Sequence, residues 1–216
     1  PKGVRITAND LNNYLDWAMS LAGGIEERAV FMNQAPYSFD LSVMDLYLSL
    51  ATGGTVVSVD RLLQKDSYRL MDYLSGQGIN YWVSTPSFAD ICLAEERFDA
   101  AFLPEVKAFL FCGEVLPCET AHSLIKRFPE SKVVNTYGPT ESTVCVTQIR
   151  ITEEMASGTA PLPVGKAKPG TSIELDPETS EIIIIGNTVS PGYYKEPILT
   201  SKAFFLSSHF CFSFCI

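Results

Sequence analysis

The sequence predicts an α/β protein with a largely parallel, doubly wound sheet and flanking helices, followed by a small β-rich subdomain. Apolar runs typical of buried strands alternate with helical segments through residues 1–150, and this alternation is typical of a parallel sheet. Beyond about Ile149 helical periodicity ends, and prolines and glycines interrupt the chain. With 216 residues, 46% of them hydrophobic, the chain can bury a sizeable core.

The first two helices are predicted from their end signals. Asn9 or Asp10 can cap a helix through LNNYLDWAMSLAG, which Gly23 and Gly24 would end. Ser42 is the candidate cap of a second helix, VMDLYLSLATGG.

Further helices and the strands between them complete the α/β region. The helices are predicted from SYRLMDYLSGQG, PSFADICLAEE and PCETAHSLIKRF. Pro86 suits the first turn of the helix in PSFADICLAEE, where no backbone N–H is needed. The strands are predicted from RAVFMNQA, TVVSV, INYWVST, VKAFLFC, KVVN and VCVTQI.

Residues 151–205 are predicted to form the β-rich subdomain, with strands in IELD and EIIIIG. Residues 206–216 form an atypical tail, because FLSSHFCFSFCI is rich in Phe, Ser and Cys and has no charged residue. It is shorter than the roughly 17–25 apolar residues of a membrane span. We expect a non-native or frameshifted terminus there, and the alternative is an ordinary buried strand.

Composition excludes several classes of partner. The net charge is −9 and the basic residues form no run, so we expect neither nucleic-acid binding nor membrane insertion. The cysteines have no metal-knuckle spacing. Reduced, mostly buried thiols in a cytoplasmic protein are therefore expected.

Four polar clusters each follow a predicted strand. They are SFD (38–40), STP (84–86), CGE (112–114) and NTYGPTE (135–141). Ligands of open parallel sheets bind outside the carboxyl ends of the strands, so these clusters are expected to share one site.

The turn from Asn135 has the groups that a nucleotide needs. Gly138 allows close backbone approach and Pro139 stiffens the turn. Tyr137 offers a flat face for a purine, and Asn135 a donor and an acceptor for a base edge. An isolated turn would explain only the glycine and the proline.

The two residues that follow suit phosphates. Thr140 can donate to a phosphate oxygen, and Glu141 can hold a Mg²⁺ that screens phosphate charge.

The segment NTYGPTEST resembles the nucleotide motif of the adenylate-forming enzymes, which include acyl-CoA ligases and peptide-synthetase adenylation domains. PKGV is similar to the tail of their glycine-rich phosphate loop. SEIIIIGNTVSPGYYKEP resembles their GEL-x-I-x-G…GY motif, with Ser180 in place of the usual glycine. The matches run from Pro1 to about Phe205.

The segments YSFDLSVMDLY, STPSF and FLFCGEVLP, in this order, are most similar to the D-alanine-activating branch. The resemblance implies conversion of D-alanine and ATP, with Mg²⁺, to D-alanyl-AMP and pyrophosphate. It also implies transfer of the aminoacyl group to the phosphopantetheine thiol of a D-alanyl carrier protein, for teichoic acid D-alanylation.

The resemblance places Asp40 on the substrate amine. A carboxylate opposite an ammonium in a partly dry pocket supplies a charge-assisted hydrogen bond, which fatty-acyl and aryl substrates could not use. The alternative for Asp40 is a helix cap. Asp45 is interpreted as an exposed helix residue.

The other implied roles divide by ligand. Cys112 and Val144 line the pocket around the alanine methyl, with core packing as the alternative. Gly113 and Glu114 border the adenine, although a strand-to-helix turn also explains the glycine. The nucleotide residues are Asn135, Thr136, Tyr137, Gly138, Pro139 and Thr140, and the catalytic residues are Thr140 and Glu141, the latter also binding the metal.

The family's pattern also includes parts that this sequence lacks: most of the phosphate loop, a ribose-binding aspartate and a C-terminal domain with a lysine. We therefore expect an inactive internal fragment of such an enzyme. The alternatives are an adenylation domain for another small amino acid, in a peptide synthetase, and a non-catalytic nucleotide-binding remnant.

Overall fold

The structure, a computed structural model, describes residues 2–206 and 212–215. The helices are α1 (Ala8–Ala18), α2 (Leu41–Thr52), α3 (Ser67–Leu74), α4 (Pro86–Leu93), α5 (Cys118–Arg127), α6 (Glu153–Ala156) and α7 (Pro197–Ala203). The first six strands are β1 (Val30–Asn33), β2 (Thr55–Ser58), β3 (Tyr81–Ser84), β4 (Ala108–Phe111), β5 (Lys132–Tyr137) and β6 (Thr147–Ile151). The others are β7 (Lys166–Ala167), β8 (Thr171–Leu175), β9 (Ile182–Gly186), β10 (Phe204–Leu206) and β11 (Phe212–Cys215).

The large sheet has seven strands in the order β2-β1-β3-β4-β5-β6-β7. The first five are parallel, and β6 and β7 extend the sheet in antiparallel pairing. The predicted largely parallel α/β fold is therefore confirmed. Strand order reverses at β1 and β3, which makes a crevice at their carboxyl ends the expected ligand site.

A second sheet of four antiparallel strands, in the order β10-β11-β9-β8, forms the predicted β-rich part. IELD and EIIIIG lie on β8 and β9, as predicted. The boundary at residues 150 and 151 stays a prediction. Of the predicted tail, residues 207–211 and 216 lie outside the described residues, and residues 212–215 form β11.

Two predicted helix caps are wrong. The N-cap of α1 is Thr7, whose hydroxyl accepts a 3.1 Å hydrogen bond from the Asp10 N–H while the Asp10 carboxylate accepts one of 2.8 Å from the Thr7 N–H. This capping box places Asp10 inside the helix. Ser42 likewise lies inside α2, and its hydroxyl donates to the carbonyl of Phe39 at 2.6 Å.

The core lies on both faces of the large sheet, because successive strand residues point to opposite sides. On one face Trp82 and Phe109 pack with Phe98 and Phe128 at ring-centroid distances of 4.9–6.4 Å. On the other face Tyr81 and the residues around it pack beneath α1 and α2. Every residue of β4 is buried, as expected for a strand covered on both sides.

Within residues 2–206 and 212–215, no helix is long and apolar enough to cross a membrane. The cysteines with described side chains are all free thiols, namely Cys92, Cys112, Cys118 and Cys145, and all except Cys118 are buried. The prediction of reduced, mostly buried thiols is confirmed for these four.

Candidate functional site

The four polar clusters lie at one edge of the large sheet. Strands β1, β3, β4 and β5 are consecutive parallel neighbours, and they end at Asn33, Ser84, Phe111 and Tyr137. The SFD and CGE clusters follow the ends of β1 and β4, whereas STP and NTYGPTE begin on the last residues of β3 and β5 and continue past them. The clusters therefore share one edge of the sheet, and their convergence on one ligand site stays a prediction.

Two adjoining cavities open at this edge beside Asp40 and Thr140, which line both. The smaller, of about 210 Å³, is mainly apolar, with walls from residues 6–11, 40–47 and 140–144. The larger, of about 820 Å³, extends past Lys2, Tyr37 and Glu141. Asp40 therefore stands at the boundary between a small apolar cavity and a wider one with charged groups.

Asp40 occupies the N-cap position of α2, but its side chain makes no capping hydrogen bond. Burial raises the pKa of its carboxyl above the ordinary value, and a hydrogen bond from Thr140 opposes this shift. The nearby charge of Glu141 raises the pKa further. A cation bound between Asp40 and Glu141 would compensate for the hydration that the Asp40 carboxylate has lost. It would also offset the repulsion between the two carboxylates.

The far wall of the small cavity is a strained turn. Thr143 and Val144 both have left-handed backbones, with φ of 63° and 67°. β-branched residues rarely adopt this conformation, which is typical of strained functional sites. The Val144 carbonyl accepts a 3.7 Å contact from the buried thiol of Cys112, so Cys112 supports this wall without itself lining the cavity.

Gly138 packs so closely against the backbone of Cys145 and Val146 that no larger residue fits at this position. A Cβ there would lie 2.4 Å from the Cα of Cys145, at the point where the chain turns back into β6. The sequence-based explanation, close approach of a ligand, is therefore not needed to account for Gly138.

The preceding residues brace the turn. The Asn135 amide donates to the carbonyl of Pro163 at 2.9 Å, and the Thr136 hydroxyl donates to the carbonyl of Phe111 at 2.7 Å. Both side chains are buried, whereas Tyr137 is half-buried and more open to a ligand. Burial raises the pKa of Tyr137.

Glu141 is held by two residues distant in the sequence. Its carboxylate accepts a 2.7 Å hydrogen bond from the Tyr193 hydroxyl and lies 3.7 Å from the ammonium of Lys2. Lys2 in turn donates to the Tyr193 hydroxyl at 3.0 Å, and this bond raises the pKa of Lys2. The segment around Lys2, the 140–144 turn and the loop at Tyr193 thus meet at one carboxylate.

This carboxylate is compatible with a bound Mg²⁺. Mg²⁺ commonly uses one or two carboxylates together with substrate phosphates, and so does not need a cage of protein ligands. The described part of the chain contains no cluster of three or more His, Cys, Asp or Glu side chains, so a cage-type metal site is not present there.

Glu114 and Gly113 lie at the end of β4, beside the start of α4. The Glu114 carboxylate accepts hydrogen bonds of 3.0 and 2.9 Å from the N–H and hydroxyl of Ser87. Gly113 has a φ of 91°, which favours glycine. The local structure of the turn therefore accounts for both residues, and their contact with adenine stays a prediction.

Asp45 is not an exposed helix residue, and that prediction is wrong. Its side chain is 0% exposed on the inner face of α2. Both carboxylate oxygens accept hydrogen bonds from the Asn33 amide, at 3.1 and 3.0 Å. Burial raises the pKa of Asp45 to about 7.

Sequence reasoning missed Lys2 and Tyr193 as neighbours of Glu141. The position of Lys2 in the PKGV segment and of Tyr193 in the GYY segment were the available indications. It also missed Thr7 and Tyr47, which line the small cavity from α1 and α2. Nothing in the local pattern distinguishes these two from ordinary helix residues.

Comparison with known proteins extends these observations. The sequence profile of the family described as "AMP-binding enzyme" matches residues 1–194. The D-alanine–D-alanyl carrier protein ligase of Bacillus anthracis is 48% identical over 213 residues, which cover 94% of this chain. The same enzyme of Bacillus thuringiensis has equal identity and coverage. The chain spans 42% of the length of these relatives.

Solved structures share the fold. The Vibrio cholerae adenylation domain AlmE, in complex with glycyl-adenosine-5′-phosphate, superposes with a TM-score of 0.81 at 24% identity, over 98% of this chain and 41% of that one. The four-domain nonribosomal peptide synthetase AB3403, bound to AMP and glycine, gives 0.85 at 27% identity, over 100% of this chain and 16% of that one.

Proposed function

The chain belongs to the AMP-binding enzyme family, and we propose that it contributes to the ATP-dependent activation of D-alanine, as part of a D-alanine–D-alanyl carrier protein ligase. D-Alanine and ATP would give D-alanyl-AMP and pyrophosphate. The aminoacyl group would then pass to the phosphopantetheine thiol of the carrier. The observation that carries this proposal is the position of Asp40 between the small apolar cavity and the wider one beside Glu141.

Asp40 would bind the substrate ammonium. Its carboxylate is partly removed from water and lies near a second carboxylate, so a cation is the ligand that this position favours. The apolar wall at Val43 and Val144 would then face the methyl group. A cavity of about 210 Å³ restricts the side chain to a small one.

The wider cavity would hold the nucleotide. Thr140 would donate to a phosphate oxygen, and Tyr137, Gly138 and Pro139 would form the edge against the adenosine together with Asn135, Thr136, Gly113 and Glu114. Lys2 would add positive charge where negative charge grows in the transition state. Bound at Glu141, Mg²⁺ would screen the phosphate charge.

D-Alanine is favoured over other small amino acids by the relatives. The two Bacillus ligases share 48% identity with the chain across nearly all of it. A second candidate function is the activation of glycine or L-alanine by the same reaction. It is supported by the small cavity and by the two solved structures that contain glycine or a glycyl group.

The test is calorimetric titration of the chain with stable adenylate mimics, in which a sulfamate replaces the phosphate. The acyl groups to compare are D-alanyl, L-alanyl, glycyl and propionyl. We expect the D-alanyl compound to bind most tightly, and the propionyl compound, which lacks the amine, to bind at least tenfold more weakly. Equal affinity for the D-alanyl and propionyl compounds would contradict amine recognition, and tighter glycyl binding would favour the second candidate.

A further inference from the structure

A network of buried polar side chains links α2 to the end of β1, outside the two cavities beside Asp40 and Thr140. The Asn33 amide donates to both carboxylate oxygens of Asp45 at 3.1 and 3.0 Å, and also to the carbonyl of Ala35 at 3.0 Å. The Asn33 carbonyl oxygen accepts a 3.0 Å hydrogen bond from the Ser58 hydroxyl. Asn33 is thus fixed from three directions: α2, β2 and the segment that follows β1.

That segment, residues 34–40, presents Asp40 to the cavities. Its middle is open to solvent, since Tyr37 and Phe39 are each 63% exposed. Its start is buried at Ala35, and its end is fixed because Asp40 precedes α2. The hydrogen bond from Asn33 to the Ala35 carbonyl is therefore one anchor at the β1 side, beside the 3.1 Å hydrogen bond that the Gln34 carbonyl accepts from Gln64.

Burying Asp45 is costly for the protein. The side chain is fully buried, and in the described part of the chain it forms no ion pair. Apolar groups of similar shape in place of both Asp45 and Asn33 could keep the fold stable at little cost, so stability alone does not require a carboxylate here. The position of this carboxylate, bonded to the residue that also holds the Ala35 carbonyl, is explained better by orientation than by stability.

We propose that Asp45 is a positioning residue for amine recognition: through Asn33 it holds the Ala35 carbonyl and so fixes the segment that presents Asp40. This inference rests on the proposed function, because it assumes that Asp40 binds the substrate amine. Asp45 itself touches no substrate. When ionised, it gives the Asn33 amide two acceptors, and when protonated it gives one acceptor fewer.

The protonation state of Asp45 should therefore matter near neutral pH. The Asn33 amide contacts Asp45 from β1, and the fully buried Tyr14 of α1 lies near enough for the charge of Asp45 to contribute to its raised pKa. Burial raises the pKa of Asp45 to about 7. Asp40 titrates as well, but it is present unchanged in any Asp45 variant, so a comparison of variants isolates Asp45.

The experiment compares the chain with its Asp45→Asn variant and with Asp72→Asn, an equal change of charge at an exposed site on α3. Calorimetry at pH 8 gives the affinity ratio of the D-alanyl to the propionyl sulfamate mimic for each protein. We expect the ratio to fall at least fivefold in Asp45→Asn and to stay unchanged in Asp72→Asn. At pH 5.5 the wild-type ratio should approach that of Asp45→Asn, because the side chain at position 45 is then neutral in both proteins.

The outcomes separate the two proposals. A wild-type chain that does not prefer the D-alanyl mimic contradicts the proposed function itself. A wild-type preference that Asp45→Asn retains in full at pH 8 overturns the role of Asp45 alone. A purely structural role would lower the affinity for both mimics equally and leave the ratio unchanged, which also overturns the inference.

A second measurement covers the case in which Asp45→Asn does not fold. The side-chain amide of Asn33 can be followed by nitrogen NMR in the wild-type chain as pH changes. We expect its titration midpoint to coincide with a step in the affinity ratio near pH 7. An affinity ratio that shows no step at the Asn33 midpoint overturns the inference.

Discussion

Tyr193 donates a 2.7 Å hydrogen bond to Glu141 across 52 residues of sequence, and Lys2 completes the contact from near the start of the chain. This contact joins the turn at residues 140–144 to the loop between β9 and α7. The backbone supports the same junction, because the Ser190 N–H donates to the Glu141 carbonyl at 2.8 Å. The orientation of Glu141 therefore depends on both sheets.

Tyr193→Phe should lower the free energy of unfolding by roughly 1–3 kcal/mol, because it removes a hydrogen bond to a buried carboxylate. Urea denaturation measures the change. Tyr194→Phe is the matched control, since that ring is 62% exposed, and its effect should stay within about 0.5 kcal/mol. Equal effects of the two variants would show that the bond to Glu141 contributes nothing to stability.

Asp40→Asn should weaken binding of the D-alanyl sulfamate mimic by about tenfold or more, because a hydrogen bond to a charged group typically contributes roughly 1.5–3 kcal/mol. Affinity for the propionyl mimic should stay the same or rise. Calorimetry at pH 8 provides both values, with Asp72→Asn as the control for lost charge. A parallel loss for both mimics would place Asp40 away from the amine.

Gly138→Ala should destabilise the chain by roughly 1–3 kcal/mol, as expected for overpacking, because the new Cβ would lie 2.4 Å from the Cα of Cys145. Gly3→Ala is the matched control, since its Cβ would meet the Cβ of Tyr194 at an ordinary 3.5 Å. Thermal unfolding of the two variants tests this prediction. A wild-type melting temperature for Gly138→Ala would mean that the turn relaxes without cost.

The pH dependence of stability should carry a contribution from Asp45. Its pKa is about 7 in the folded chain against an ordinary value of 3.8. Between these pH values the folded chain retains a proton that the unfolded chain has released, so the free energy of unfolding should fall as pH rises from about 4 to 7. The loss attributable to Asp45 is on the order of 3 kcal/mol.

Urea denaturation between pH 4 and 8 checks this contribution. Asp45→Asn should show a shallower decline than the wild type, whereas Asp72→Asn should keep the wild-type slope. Identical slopes for all three proteins would mean that Asp45 has an ordinary pKa.

The alternation of segments was sufficient to predict the fold, because each strand and helix carries its own local pattern. The helix caps were less predictable, since Thr7, Asn9 and Asp10 are all good capping residues and only the three-dimensional contact decides among them. Asp45 was misassigned for a related reason. A carboxylate in a helix is usually exposed, and its buried partner Asn33 lies in a different element.

The sheet edge that carries the candidate site was predictable, whereas the role of Asp40 stays a prediction. The clusters at the ends of β1, β3, β4 and β5 could be read from the sequence because parallel strands bring their carboxyl ends together. The contact between Lys2, Tyr193 and Glu141 could not, since it joins three segments that are distant in the chain. The bracing roles of Asn135 and Glu114 also depend on neighbours that appear only in the folded protein.

The small cavity takes its walls from residues 6–11, 40–47 and 140–144. We expect this cavity to form late in folding, because more than 90 residues lie between Tyr47 and Thr140 in its lining and such non-local contacts slow folding. Refolding monitored by the recovery of ligand binding should therefore be slower than refolding monitored by helix content. A compound that fits this space would act as a reporter of completed assembly.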